Sequence, residues 1–203
     1  KNICSRTCFF YKLHITLDNF KIRHICVFSI KKLMNSKKNI VLIGMMGSGK
    51  STIGTILSKK LQKKIIDIDK MIETTEGIKI SDIFKKKGEE YFRKIEEEIS
   101  LKFLNYTNNI IALGGGAFLN KNVQQVVQKN NISFWLNWNA DTIINRIINS
   151  KKRPLAFKTK RGDLKKIISE RSKIYQVAHY KINCENFDKD EIIKKIINIY
   201  EKK

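Results

Sequence analysis

One segment constrains this chain more than any other: Gly44-Met45-Met46-Gly47-Ser48-Gly49-Lys50-Ser51-Thr52. It fits the full phosphate-loop pattern, in which Gly44 is followed by four residues and then by Gly49-Lys50-Ser51. Such a loop works only between a strand and a helix, and both neighbours read that way. The preceding "NIVLIG" is a short, β-branched apolar run ending in glycine, as a strand buried in a parallel sheet would be. The following "STIGTILSKKLQ" has helical periodicity. The glycines let backbone N–H groups converge on phosphate oxygens with no Cβ in the way, and the helix start adds its positive dipole end. Gly47, Ser48, Gly49 and Thr52 are therefore expected around a nucleotide's phosphates. Lys50 is expected to reach the β- and γ-phosphates, and the Ser51 hydroxyl to sit on Mg²⁺. The loop does not say where the terminal phosphate goes.

The rest of the chain alternates strands and helices. "KKIIDIDKMIE" reads as a second strand ending in two acids. On a strand, positions two apart share a face, so Asp67 and Asp69 are expected to point the same way. Their mutual repulsion would be relieved by a cation, or by one serving a metal and the other a substrate. A solvated strand end looks the same in isolation. Here, however, the phosphate loop lies one β-α unit upstream, and the carboxyl ends of parallel strands form the ligand crevice.

In "ISDIFKKKGEEYFRKIEEEISLKFL" two helical segments are expected, the first starting at Ser81, with Gly88 breaking the pattern. Phe84 and Phe92 suit either a core or an apolar pocket wall. Arg93 suits either solvent or an anion, and Glu96, three residues on, shares its helix face and can fix its rotamer. "NIIALGGGAFL" is a third strand running into Gly114, Gly115 and Gly116, where the backbone must approach something closely or turn tightly. "ISFWLNW" is a fourth strand. A helix, a basic stretch and another helix follow. The stretch from Lys151 to Arg161 is rich in cations and holds the only proline, Pro154. A basic loop that closes over phosphates has this composition, and so does an exposed connection. "YKINCEN" and "KDEIIKKIINIYEKK" complete the series as a strand and an amphipathic helix. This alternation implies an α/β fold around a central parallel sheet.

Charge is lopsided, with 41 Lys and Arg against 19 Asp and Glu, a formal +22. A polyanion partner would explain it. The lysines are scattered over a chain rich in Lys, Asn and Ile, however, whereas a dedicated nucleic-acid face more often interleaves Arg with aromatics. Composition bias accounts for that pattern, so no specific nucleic-acid partner is expected. No run of eighteen apolar residues occurs, so no transmembrane helix is expected.

Residues 1–36 stand apart. They carry Asp18 as their only acid against seven Lys and Arg, and three of the four cysteines, Cys4, Cys8 and Cys26. With His14 and His24 a zinc site is conceivable, but Cys4-x-x-x-Cys8 lacks a matching second pair. A disordered tail, a basic acid-poor targeting peptide of plastid type, or sequence upstream of a true start at Met34 fits better. The expected organisation is an extension over 1–36 and one domain over 37–203. Cys184, alone in the remainder, fits a reducing compartment.

Taken together, these motifs resemble those of shikimate kinases over about residues 38–200. "GMMGSGKST" resembles the family's phosphate loop, "DID" its Asp-x-Asp, "FRKIE" its Phe-Arg-x-x-Glu, "GGG" its substrate-strand glycines and "RPL" its lid. The phosphate loop alone serves many activities; the five in this order are specific. The resemblance implies a three-layer P-loop kinase fold. Its central five-stranded sheet would be mostly parallel and flanked by helices, with a mobile lid over about 151–163. It implies ATP-dependent phosphorylation of the 3-hydroxyl of shikimate by a monomeric, cytoplasmic enzyme.

Roles follow by position. Lys50 and Ser51 would hold ATP and Mg²⁺, and Asp67 would join the Mg²⁺ shell. Asp69 would orient, and deprotonate, the attacking hydroxyl. Arg93 and Arg171 would clamp the carboxylate, and the Gly114–Gly116 backbone would present N–H groups to the substrate. Phe84 and Phe92 would wall the ring. Arg153 would contact the transferring phosphoryl group, and Arg146 would lie against the adenine.

The sequence departs from the family at Ala156-Phe157, where a second Leu is commoner after "RPL". It departs again in "NCENFDKD", to which no adenine contact is assigned, and residues 1–33 match nothing in the family. A gluconate-type kinase would keep the loop and lid without needing both arginines to converge with Asp69. A GTPase switch would need Asn-Lys-x-Asp, which is absent.

Overall fold

The computed structural model describes residues 38–149 and 160–203. Five strands form the frame: β1 (Ile40–Ile43), β2 (Lys64–Asp67), β3 (Asn109–Ala112), β4 (Ile132–Asn137) and β5 (Tyr180–Asn183). They run in the order β2-β3-β1-β4-β5, and every neighbouring pair is parallel. Among the described residues the sheet is thus wholly rather than mostly parallel. The helices are α1 (Lys50–Leu61), α2 (Ile68–Glu76), α3 (Ile80–Leu104), α4 (Lys121–Asn130), α5 (Ala140–Ile148), α6 (Arg161–Tyr175) and α7 (Lys189–Glu201). A 3₁₀ turn covers Ala117–Leu119.

Sheet order positions the site. The chain leaving β1 crosses to β2 at one edge, whereas the chain leaving β3 crosses to β4 on the other side of β1. The carboxyl ends of β1 and β3 therefore form the switch point at which an open parallel sheet leaves a crevice. The phosphate loop follows β1, and Gly114–Gly116 follow β3.

Every residue of β1 is buried because both faces of the sheet are covered. Val41 and Ile43 join one cluster, with Ile72 of α2, Phe92 of α3, Val123 of α4, Ile144 of α5 and Leu164 of α6. Ile40 and Leu42 join the other, with Ile53 and Leu57 of α1 and Ile192 and Ile196 of α7. The result is a three-layer sandwich. Within α3, Gly88 has φ 80° and ψ 174°, a conformation costly for any residue with a Cβ, and the helix kinks there as the sequence suggested.

One reading needs correction. The second strand does not continue through both acids: β2 ends at Asp67, and Asp69 stands in the first turn of α2. The cause is local. The Asp67 side chain caps α2 by accepting the Lys70 N–H, which ends the strand where the helix begins. The two carboxylates therefore do not share a strand face. The lid expected over about 151–163 falls mostly outside the described residues. Residues 150–159 lie outside the described residues, but Arg161–Asp163 already belong to α6. Arg161 pairs with Asp141 of α5 at 2.7 Å, and Lys165 pairs with the same carboxylate, which fixes the start of α6. The extension over 1–36, its cysteines and histidines, also lies outside the described residues.

No described helix is long and apolar enough to cross a membrane. Cys184 is buried, and burial pushes its thiol up to about 12, which leaves it unreactive.

At the opposite end of the sheet, Asn39 pins several chain segments. Its buried amide donates to the carbonyls of Leu104 and Tyr106 and to Asn131 Oδ1, and its Oδ1 accepts the Asn109 N–H. Asn39→Ala leaves these groups unpaired, so stability should fall by about 2–4 kcal/mol. Urea denaturation would show a lower midpoint at unchanged slope. An unchanged midpoint would rule out the pinning role.

Candidate functional site

Lys50, in the first turn of α1, reaches back across the loop and donates to the carbonyls of Gly44 (2.8 Å) and Met45 (2.9 Å). Its ammonium is thus held over the loop by the loop's own backbone. Thr52 lies exposed in the same turn, and Ser48 is buried. Among the described residues, the Ser48 hydroxyl has no hydrogen-bond partner.

Ser51 Oγ donates to Asp67 Oδ2 at 2.5 Å. A hydroxyl and a carboxylate oxygen, brought together from α1 and the end of β2, are hard donors beside a phosphate cradle. Mg²⁺ takes one or two protein oxygens and keeps several waters, so this pair fits it. Among the described residues no cluster of three or more His, Cys, Asp or Glu forms a metal site of another kind.

The opposite wall is built around a buried acid. Glu96 of α3 is 3% exposed and pairs with Arg93 at 2.7 Å. Arg93 also takes Glu89 through Nε (3.2 Å) and Nη2 (3.0 Å). Burial pushes the Glu96 carboxyl up; Arg93 and Arg171 oppose that, and Asp69 adds to it. Burial also works against the Arg93 charge, but Glu96 and Glu89 outweigh it and hold the guanidinium above its ordinary value. The ion pair therefore stands, with Arg93 as its fixed charge.

The glycines are explained by what crowds them. A Cβ on Gly114 would lie 2.5 Å from Glu96 Oε1 and 2.7 Å from Asp69 Oδ1. A Cβ on Gly116 would collide with the Arg93 guanidinium. Arg171 of α6 comes from the other side, its Nη1 3.5 Å from the Gly115 carbonyl. The structure thus brings Asp69, Glu96, Arg93 and Arg171 to one short length of backbone. Phe84 and Phe92 stand beside them with ring centroids 4.5 Å apart, and the Arg93 guanidinium lies 5.2 Å from the Phe92 ring. A cleft of roughly 250 Å³, lined by Arg93, Glu96, Gly116, Leu119 and Asn120 among others, opens here.

Arg146 of α5 lies over the Trp138 indole, its guanidinium carbon 3.7 Å from the ring centroid, and its Nη1 is 3.5 Å from the Gly47 carbonyl of the phosphate loop. Arg153 falls outside the described residues. Two contributors escaped sequence reading. Tyr175 of α6 is buried and donates to the Gly115 carbonyl at 2.5 Å; burial pushes its hydroxyl up to about 12, so it remains a donor at any working pH. Its signal was its place one helical turn after Arg171. Trp138 donates its Nε1–H to the Ser48 carbonyl at 3.0 Å. Its only signal was an aromatic at the carboxyl end of a strand.

A family model described as "Shikimate kinase" matches residues 46–201. A shikimate kinase of Sulfurihydrogenibium sp. (strain YO3AOP1) is 40% identical over 160 residues, 79% of this chain and 96% of its own length. One of Persephonella marina is 38% identical, covering 79% of this chain and 97% of its own. A solved shikimate kinase from Acinetobacter baumannii, in complex with shikimate, superposes with a TM-score of 0.76 at 29% identity, covering 83% of this chain and 95% of that one.

The crowding at Gly116 makes a direct prediction. Gly116→Ala must displace the Arg93 guanidinium, so KM for a small carboxylate substrate should rise about tenfold, or ~1.4 kcal/mol, while KM for the nucleotide changes less than about twofold. Steady-state kinetics with each substrate varied in turn would check this. An unchanged acid KM would show that Arg93 does not read the substrate.

Proposed function

Because the chain belongs to the shikimate kinase family, we infer that it transfers the γ-phosphoryl group of ATP to the 3-hydroxyl of shikimate. The product, 3-phosphoshikimate, feeds chorismate and aromatic amino-acid synthesis. The observation that carries this reading is the convergence of Arg93 and Arg171 with Asp69 on the Gly114–Gly116 backbone. Paired guanidinium groups read a carboxylate, a carboxylate reads ring hydroxyls, and the aromatic pair Phe84 and Phe92 walls an apolar ring. A gluconate-type acceptor would not require this combination. The solved Acinetobacter baumannii relative holds shikimate, and the same acid is the acceptor assigned here.

The roles assigned to the residues follow from charge. Asp69 accepts hydrogen bonds from the ring hydroxyls and takes the proton of the 3-hydroxyl as its oxygen bonds to the γ-phosphorus. The bond from that phosphorus to the bridging oxygen breaks, and the electron pair leaves with ADP. Little covalent chemistry is asked of the protein; what matters is in-line position and cations around the equatorial oxygens. Lys50 supplies one such charge from the loop, and Arg153 supplies another from the lid. Ser51 and Asp67 would hold Mg²⁺, Asp67 through water, and the bound ion would add positive charge at the β- and γ-phosphate oxygens. Gly47, Ser48, Gly49 and Thr52 surround the phosphates, and Arg146 lies against the adenine. Glu96 keeps Arg93 aimed at the acid end of the substrate. We place the catalytic domain at residues 37–203 and read it as monomeric and cytoplasmic, with residues 1–33 dispensable for turnover.

An ADP-release assay with Mg·ATP and shikimate, quinate, gluconate or no acceptor tests the reading. It should be run on the full chain and on one beginning at Met34. Turnover should depend on shikimate in both. No acceptor dependence, or a preference for gluconate, would contradict it. Asp69→Asn should lower kcat by about a hundredfold or more while ATP binding stays within about twofold; loss of ATP binding would contradict the base role.

A further inference from the structure

The phosphate loop is held from outside by a residue to which neither the motif nor the family reading gives a part. We propose that Trp138 is a positioning residue for the nucleotide, acting through the Ser48 carbonyl and through Arg146. The proposal rests on reading the loop as the ATP site, but not on which acceptor is used.

Three observations support it. First, Trp138 follows directly on β4, which pairs with β1 in the register Ile43↔Trp135. That pairing sets the carboxyl end of β4 against the loop leaving β1. Second, the indole Nε1–H donates to the Ser48 carbonyl at 3.0 Å. In a trans peptide the C=O and the next N–H point in opposite directions. Fixing the Ser48 carbonyl on the indole therefore turns the Gly49 N–H away from it, toward the phosphate side of the loop. Third, the Arg146 guanidinium lies on the indole face at 3.7 Å, and its Nη1 is 3.5 Å from the Gly47 carbonyl. The ring thus holds the Arg146 cation beside the loop. A guanidinium on a free side chain would have to be ordered when the nucleotide arrives; one already stacked costs less to engage.

The anchor is itself fixed. Glu185, in the loop after β5, accepts the Asn139 N–H at 3.0 Å and the Thr142 hydroxyl at 2.6 Å. This ties down the start of α5 on the residue next to Trp138. The loop "NCENFDKD", which showed no nucleotide contact in sequence, thereby supports the nucleotide side through Trp138.

The test separates positioning from mere packing. Trp138→Phe keeps a ring under Arg146 but loses the donor; Trp138→Leu loses both. KM for ATP should rise about threefold to tenfold in the first and further in the second, with KM for shikimate near wild type in both and the melting temperature near wild type in Trp138→Phe. A spectroscopic readout needs no kinetics. The chain has two tryptophans, and the emission change on adding Mg·ADP should be lost in Trp138→Phe, leaving any change from Trp135 alone. If Trp138→Leu fails to fold, Trp138→Phe and the emission readout decide. An unchanged ATP KM in Trp138→Phe would overturn the proposal. So would an equal rise in both KM values, or an emission response to Mg·ADP as large in Trp138→Phe as in the wild-type protein.

Discussion

A carboxylate that is almost wholly removed from water has to be neutralised by something close, and Glu96 places that demand at the centre of this fold. Its partner is Arg93 at 2.7 Å. Arg93 is itself 37% exposed, so the demand falls on the acid: without the guanidinium the buried carboxylate is left uncompensated. The pair in turn dictates the backbone it faces. Gly116 must lack a Cβ because the guanidinium occupies that space, and Gly114 must lack one because the Glu96 and Asp69 oxygens do. The Phe-Arg-x-x-Glu and Gly-Gly-Gly segments are thus two sides of one contact rather than two separate motifs.

The contact also organises charge within a strongly basic chain. The scattered lysines supply a general positive field, but the site depends on a few cations held in fixed places. Lys50 is held by loop carbonyls, Arg93 by Glu96 and Glu89, and Arg171 beside the Gly115 carbonyl that Tyr175 also binds. Asp67 lies beside Ser51 at the phosphate loop and Asp69 beside Glu96 at Gly114, so carboxylates and cations alternate along the crevice. This order suits a donor with phosphates at one end, an acceptor with a carboxylate at the other, and a hydroxyl between them.

Much of this was legible in the sequence, because it depends on local spacing. The strands buried on both faces read as short apolar runs. The loop motif named its own helix, and Arg93 and Glu96 lay three apart on one helix face, where they are found. The geometry of Asp67 and Asp69 was misread as a shared strand face, because a single side-chain cap at Asp67 decides where β2 stops. Helix α4 went unread because only Val123, Val126 and Val127 punctuate a polar stretch, though Asn120 caps it. The contact that Trp138 makes could not be read. Its partner, Ser48, is ninety residues away in sequence and reaches it only through the β1–β4 register.

The central claim is that Arg93 and Arg171 read the acid group of the acceptor. Calorimetric titration of shikimate and of its methyl ester into the wild-type protein and into Arg171→Ala tests it most directly, since Arg171 can be removed without stranding Glu96. The ester keeps the ring and hydroxyls and lacks only the charge. Wild type should bind the acid at least about tenfold more tightly than the ester, and the gap should shrink in the variant. Equal affinity of the wild-type protein for acid and ester would contradict the account.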